Sequence, residues 1–80
     1  MDSNEIKALI EAGLPDATVE VVGDGRHFQA LIVSSAFAGK NRIDRERLVQ
    51  AQLKEHFDSG VLHALSIKPL TPEQWAQEKG

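Results

Sequence analysis

Val61-Leu62-His63-Ala64-Leu65-Ser66-Ile67-Lys68 is the stretch on which the fold turns. It is short and apolar, with Ser59-Gly60 before it and Pro69 after it, so it reads as a strand. What precedes it decides its direction. From about Arg42 to Phe57 the pattern is helical, with Leu48, Val49, Leu53 and Phe57 on one face and the charged residues pointing away. A strand reached through such a helical crossover runs parallel to the strand before the helix, and the connection is right-handed.

Outward from this stretch the punctuation is clear. On its C-terminal side, Thr71 is an N-cap, Pro72 sits at the first helical position and Gln74 completes a capping box, which starts a final helix through Trp75. At the other end of the chain, Asp2 and Glu5 have capping-box spacing and Ile6, Leu9 and Ile10 share a helical face that Gly13 and Pro15 terminate. Thr18 to Val22 is β-branched and reads as a strand. Gly23-Asp24-Gly25 supplies the positive-φ positions of a hairpin, and His27 to Val33 returns antiparallel. Ser34 to Asn41 is turn-rich, with Phe37 anchored in the core. The predicted order is therefore α-β-β-α-β-α: an α+β fold in which helices cover one face of a three-stranded mixed sheet, as one domain over residues 1–80.

Composition bounds the function. The 80 residues carry a net charge of −3 and include no cysteine, which excludes disulfides, thiol catalysis and a thiolate metal site from this chain alone. That usage suits a reducing cytoplasm. No apolar run approaches the roughly 20 residues that span a bilayer, and the acidic N-terminus is unlike a signal peptide, so no membrane partner is expected. The acidic balance argues against a dominant nucleic-acid role, although Lys40, Arg42, Arg45 and Arg47 form one local basic run. Such runs are usually solvated surface. Cations near a helix N-terminus nevertheless oppose the dipole by a few tenths of a kcal/mol each, which points to an anionic partner.

Few residues suggest catalysis. Gly23-x-Gly25 joins two strands and lacks a third glycine, so it is a turn and not a dinucleotide loop. Ser34 and Ser35 have no nucleophile elbow around them, and the carboxylates lie on turns or solvated faces, so the expectation is a protein that is not an enzyme. Three histidines remain. His56, in the last turns of the long helix, suits a structural place near the dipole. His27 opens the second strand at the hairpin mouth and reads equally as a solvent-facing residue or a ligand. His63 shares strand parity with Leu65 and Ile67 yet stands at the strand's beginning. Spacing alone leaves it as a packed or exposed histidine, or as a donor. One or two imidazoles do not complete a metal site, so a second molecule would have to supply the other ligands.

Taken together, several segments resemble the BolA family, most closely its short bacterial IbaG branch. They are Gly23-Asp24-Gly25-x-His27-Phe28, Val33-Ser34-x-x-Phe37-x-Gly39, Arg45-x-Arg47-Leu48-Val49, Val61 to Lys68 and Thr71-Pro72-Glu73-Gln74-Trp75. The resemblance covers nearly the whole chain and implies a fold like the class II KH domain. It implies a partner, a monothiol glutaredoxin, and a 2Fe-2S cluster held jointly with that partner and its glutathione; the isolated chain is expected to hold none. The family's C-terminal histidine ligand falls on His63. The second ligand belongs to the loop between the first two strands, where His27 is the nearest imidazole. The free protein is expected as a monomer and the complex as a heterodimer. Imidazole in place of thiolate is expected to raise the cluster's reduction potential and make it more labile and acid-sensitive. The family's KH likeness implies a rival reading, a DNA-binding transcriptional regulator using Lys40, Arg42, Arg45 and Arg47. Gly39-Lys40-Asn41-Arg42 lacks the second glycine of a G-x-x-G clamp.

Overall fold

The computed structural model describes residues 2–60, 62 and 64–79. Over these the chain forms α1 (Ser3–Gly13), β1 (Thr18–Gly23), β2 (His27–Val33), a 3-10 turn (Ser35–Phe37), α2 (Arg42–Asp58), β3 (Ala64–Leu70) and α3 (Pro72–Lys79). The expected order and the mixed sheet are both present. β2 is central; β1 pairs with it antiparallel from Thr18 opposite Val33 to Gly23 opposite Phe28. β3 pairs with it in parallel from Ala64 beside His27 to Leu70 beside Val33.

Strand alternation builds the core. Val19, Phe28, Ala30, Ile32 and Ile67 turn to the helix-covered side and meet Ile6 and Ile10 of α1 and Val49 and Leu53 of α2. Phe37, fully buried, closes one end of this cluster. Burying a side chain of this size stabilises by about 1.5–3 kcal/mol, so these few residues supply most of the driving force. The helices start at side-chain caps: Asp2 accepts from the Glu5 N–H, and Asn41 from the Asp44 N–H, each at 2.9 Å. At α3 the capping box is reciprocal, the Gln74 N–H reaching Thr71 Oγ1 at 3.2 Å and the Thr71 N–H reaching Gln74 Oε1 at 3.0 Å.

Two expectations need correction. The third strand is expected over Val61–Lys68; Val61 and His63 lie outside the described residues, Leu62 stands outside the strand, and β3 spans Ala64–Leu70. Leu62 is drawn to the end of α2 instead: Gly60, at φ 80°, turns the chain, and the Leu62 N–H caps the His56 carbonyl at 3.0 Å. Leu62 is buried as a core plug outside the strand. Pro69 does not stop β3, since a strand at the sheet's edge can lack one outward N–H. The second correction concerns the hairpin. Only Gly25 has a positive φ there, 98°. Gly23 is a strand residue kept small by close approach: a Cβ on it would fall 2.6 Å from the His27 carbonyl oxygen and against the Phe28 ring.

Candidate functional site

The β1–β2 hairpin carries the one candidate ligand among the described residues. Phe28 faces the core, so alternation turns its neighbour His27 to the open side of the sheet, where the imidazole is 76% exposed. Asp24 organises the loop. Its Oδ1 accepts the backbone N–H groups of Arg26 and His27, each at 2.9 Å, and the Asp24 N–H donates to the His27 carbonyl at 3.2 Å. The His27 N–H, followed by that of Arg26, holds the Asp24 carboxyl below its ordinary pKa. Its other oxygen stands 3.9 Å from His27 Nδ1. A shallow depression of about 360 Å3 opens beside the ring, between Val22, Asp24, Gln29, Ala64 and Ser66.

His63 lies outside the described residues. The residue after it in the chain, Ala64, is the register partner of His27. His56 is half-buried in the last turn of α2, its carbonyl taking the Leu62 N–H and the Ser59 hydroxyl. Among the described residues, no group of three or more His, Cys, Asp or Glu side chains could hold a metal ion. The described residues thus present one exposed imidazole, that of His27, with a single carboxylate beside it.

The basic run is divided by the fold. Arg42 Nη2 donates to the Ile67 carbonyl at 3.0 Å and Arg45 Nη1 to the Pro69 carbonyl at 3.1 Å, so two guanidiniums cover outward-facing acceptors of the β3 edge. Arg45 also bonds the Lys40 carbonyl at 2.9 Å and Gln74 Oε1 at 2.8 Å, tying the start of α2 to the cap of α3. Arg47 is exposed and 4.0 Å from Asp44; Lys40 is exposed in the loop before α2. The place of Arg42 and Arg45 against the helix dipole thus has a structural reason in β3, one that a linear reading of the run misses.

A polar cluster at the opposite end of β2 had no signal in the sequence. Ser34 is fully buried, and its hydroxyl donates to Asp16 Oδ1 at 2.9 Å. The Ser35 hydroxyl and N–H both donate to Asp16 Oδ2. These contacts, the Ser35 hydroxyl first, hold the Asp16 carboxyl below its ordinary pKa. The pair sits 18 and 19 positions from Asp16, a separation that no local motif marks. Because Ser34 follows the last residue of β2 and His27 is the first, the strand's seven residues hold them about 20 Å apart, which removes a serine–histidine pair.

Residues 11–74 match the family model described as BolA-like protein. The chain is 37% identical over 79 residues to the acid stress protein IbaG of Escherichia coli K12, a match covering 99% of this chain and 94% of that protein. Among solved structures, a BolA protein homologue from Coxiella burnetii superposes with a TM-score of 0.85 at 38% identity, covering 95% of this chain and 97% of that one. The solution structure of mouse BolA1 superposes at 0.82 with 32% identity, over 98% of this chain and 71% of that one.

Proposed function

The chain belongs to the BolA-like family, and on that premise we propose that it is a non-enzymatic partner of a monothiol glutaredoxin, sharing a bridging 2Fe-2S cluster with it. His63 and His27 are the donors; the glutaredoxin and its glutathione supply thiolate. Such a cluster, when bound, supplies one-electron chemistry and transferable iron and sulfide, tuned by its imidazole ligands. The single observation that supports this reading is the placement of His27. Its ring stands exposed on the first residue of β2, whose register partner on β3 is Ala64, the residue that follows His63. An imidazole so placed lends a nitrogen without unfolding anything. The setting is proposed to be cytoplasmic, in iron–sulfur trafficking or acid-stress physiology. The name of the E. coli relative, an acid stress protein, accords with that.

The test is to mix the protein with cluster-loaded monothiol glutaredoxin and follow visible circular dichroism. New bands should develop with the wild-type chain and should weaken or shift with His63→Ala and with His27→Ala. Bands that never form, or that neither substitution alters, overturn the ligand assignments. The DNA-binding alternative draws less support, because Arg42 and Arg45 already serve the β3 edge. It requires an affinity that falls steeply with salt, and no specific observation favours it.

A further inference from the structure

We infer that Asp24 is a positioning residue for His27: its carboxylate favours the ring tautomer protonated on Nδ1 and leaves Nε2 as the outward donor. The inference rests on the cluster reading above, and deepens it by naming the atom that binds. Three observations converge. Asp24 Oδ1 is occupied by two backbone N–H groups, those of Arg26 and of His27 itself, so the carboxylate is pinned to the backbone that carries the ring. Gly25, at φ 98°, provides the reversal that brings both N–H groups onto one oxygen. The remaining oxygen, Oδ2, is then the one that faces the imidazole, 3.9 Å from Nδ1.

That separation is too long for a hydrogen bond, so the carboxylate acts on the neutral ring through its charge alone. A negative oxygen at this range still separates the two neutral tautomers, since it favours the N–H dipole on the nearer nitrogen. Histidines that bind metals are commonly oriented this way, by a carboxylate or carbonyl on the other ring nitrogen. Here the orienting group sits in the same tight loop as the ring it orients. Movement of the hairpin would carry both together.

Asp24→Asn separates orientation from loop integrity. The amide Oδ1 can still accept the two N–H groups, while Nδ2 presents a donor where the wild-type protein presents an acceptor. Long-range proton–nitrogen correlation spectra of the free, nitrogen-15-labelled protein, at a pH where the ring is neutral, report the tautomer directly. The expected result is a majority Nδ1–H ring in the wild type and a majority Nε2–H ring in Asp24→Asn, with the Arg26 and His27 amide signals still dispersed. The same tautomer ratio in both proteins would overturn the inference. Visible circular dichroism with cluster-loaded glutaredoxin tests the underlying reading separately. Bands that form with the wild type and change with Asp24→Asn support the assignment of Nε2 as donor. Their absence with the wild type removes the ligand role, and with it the purpose given to this contact.

Discussion

Single side chains here divide into those the fold uses and those it merely carries. His27, with a ring 76% exposed, belongs to the second kind. His27→Ala should leave stability within about 0.5 kcal/mol in urea denaturation while altering the complex with glutaredoxin. A larger loss of stability would make it a structural residue instead. Asp16 belongs to the first kind. Its folded pKa is depressed by the Ser35 and Ser34 contacts, so its contribution is present above the ordinary value of about 3.9 and is lost as pH falls through the folded value. Asp16→Asn should therefore be less stable than wild type near neutral pH, and the gap between their urea midpoints should close in acid. A gap independent of pH would contradict this. None of it was legible locally. Asp16 and Ser34 meet only once β2 has placed its end against the α1–β1 connection.

At the scale of elements, the legible signals were those written within a few residues. The Thr71-Pro72-x-Gln74 cap, the amphipathic face of α2 and the hydrophobic alternation of β2 each carry their own stop or start, and each element lies where those signals put it. Leu62 falls outside β3, against the reading of its apolar run, because its N–H bond to the end of α2 is a tertiary event. Gly23 is conditioned in a similar way: its smallness answers to Phe28 across the hairpin and not to its own φ. Gly23→Ala should accordingly cost about 1–3 kcal/mol, the usual range for overpacking, whereas exposed Gly25 would be strained by its φ alone. Chemical denaturation checks this, and an unchanged midpoint for Gly23→Ala would refute the close-approach argument. Arg45→Ala removes bonds to Lys40, Pro69 and Gln74 together and should cost about 1–3 kcal/mol, against at most about 0.5 kcal/mol for Arg47→Ala. Equal effects of the two substitutions would mean the β3 edge gains nothing from its arginine.

For the molecule as a whole, smallness sets the margin. A chain of 80 residues typically has roughly 4–12 kcal/mol of net stability, and Phe37→Ala should remove about 3–5 kcal/mol by emptying a fully buried site. Loss of dispersed amide signals, or a steep fall in melting temperature, is the expected outcome; near-native behaviour would mean the core lies elsewhere. The overall topology was readable because hydrophobic period and connection length leave few arrangements for three helices and three strands. The site was readable only in part. Residue type and position singled out His27, but the carboxylate that faces it, and the use of Arg42 and Arg45 on β3, are products of the fold. His63 lies outside the described residues, so its role stands on family resemblance and on chemistry. Pulsed electron paramagnetic resonance probes that role at the iron itself. A nitrogen-15-labelled chain, combined with unlabelled glutaredoxin and a reduced cluster, should give strong nitrogen-15 hyperfine couplings that His63→Ala diminishes. A complex whose cluster shows no coupling to nitrogen from this chain would contradict the shared-cluster proposal outright.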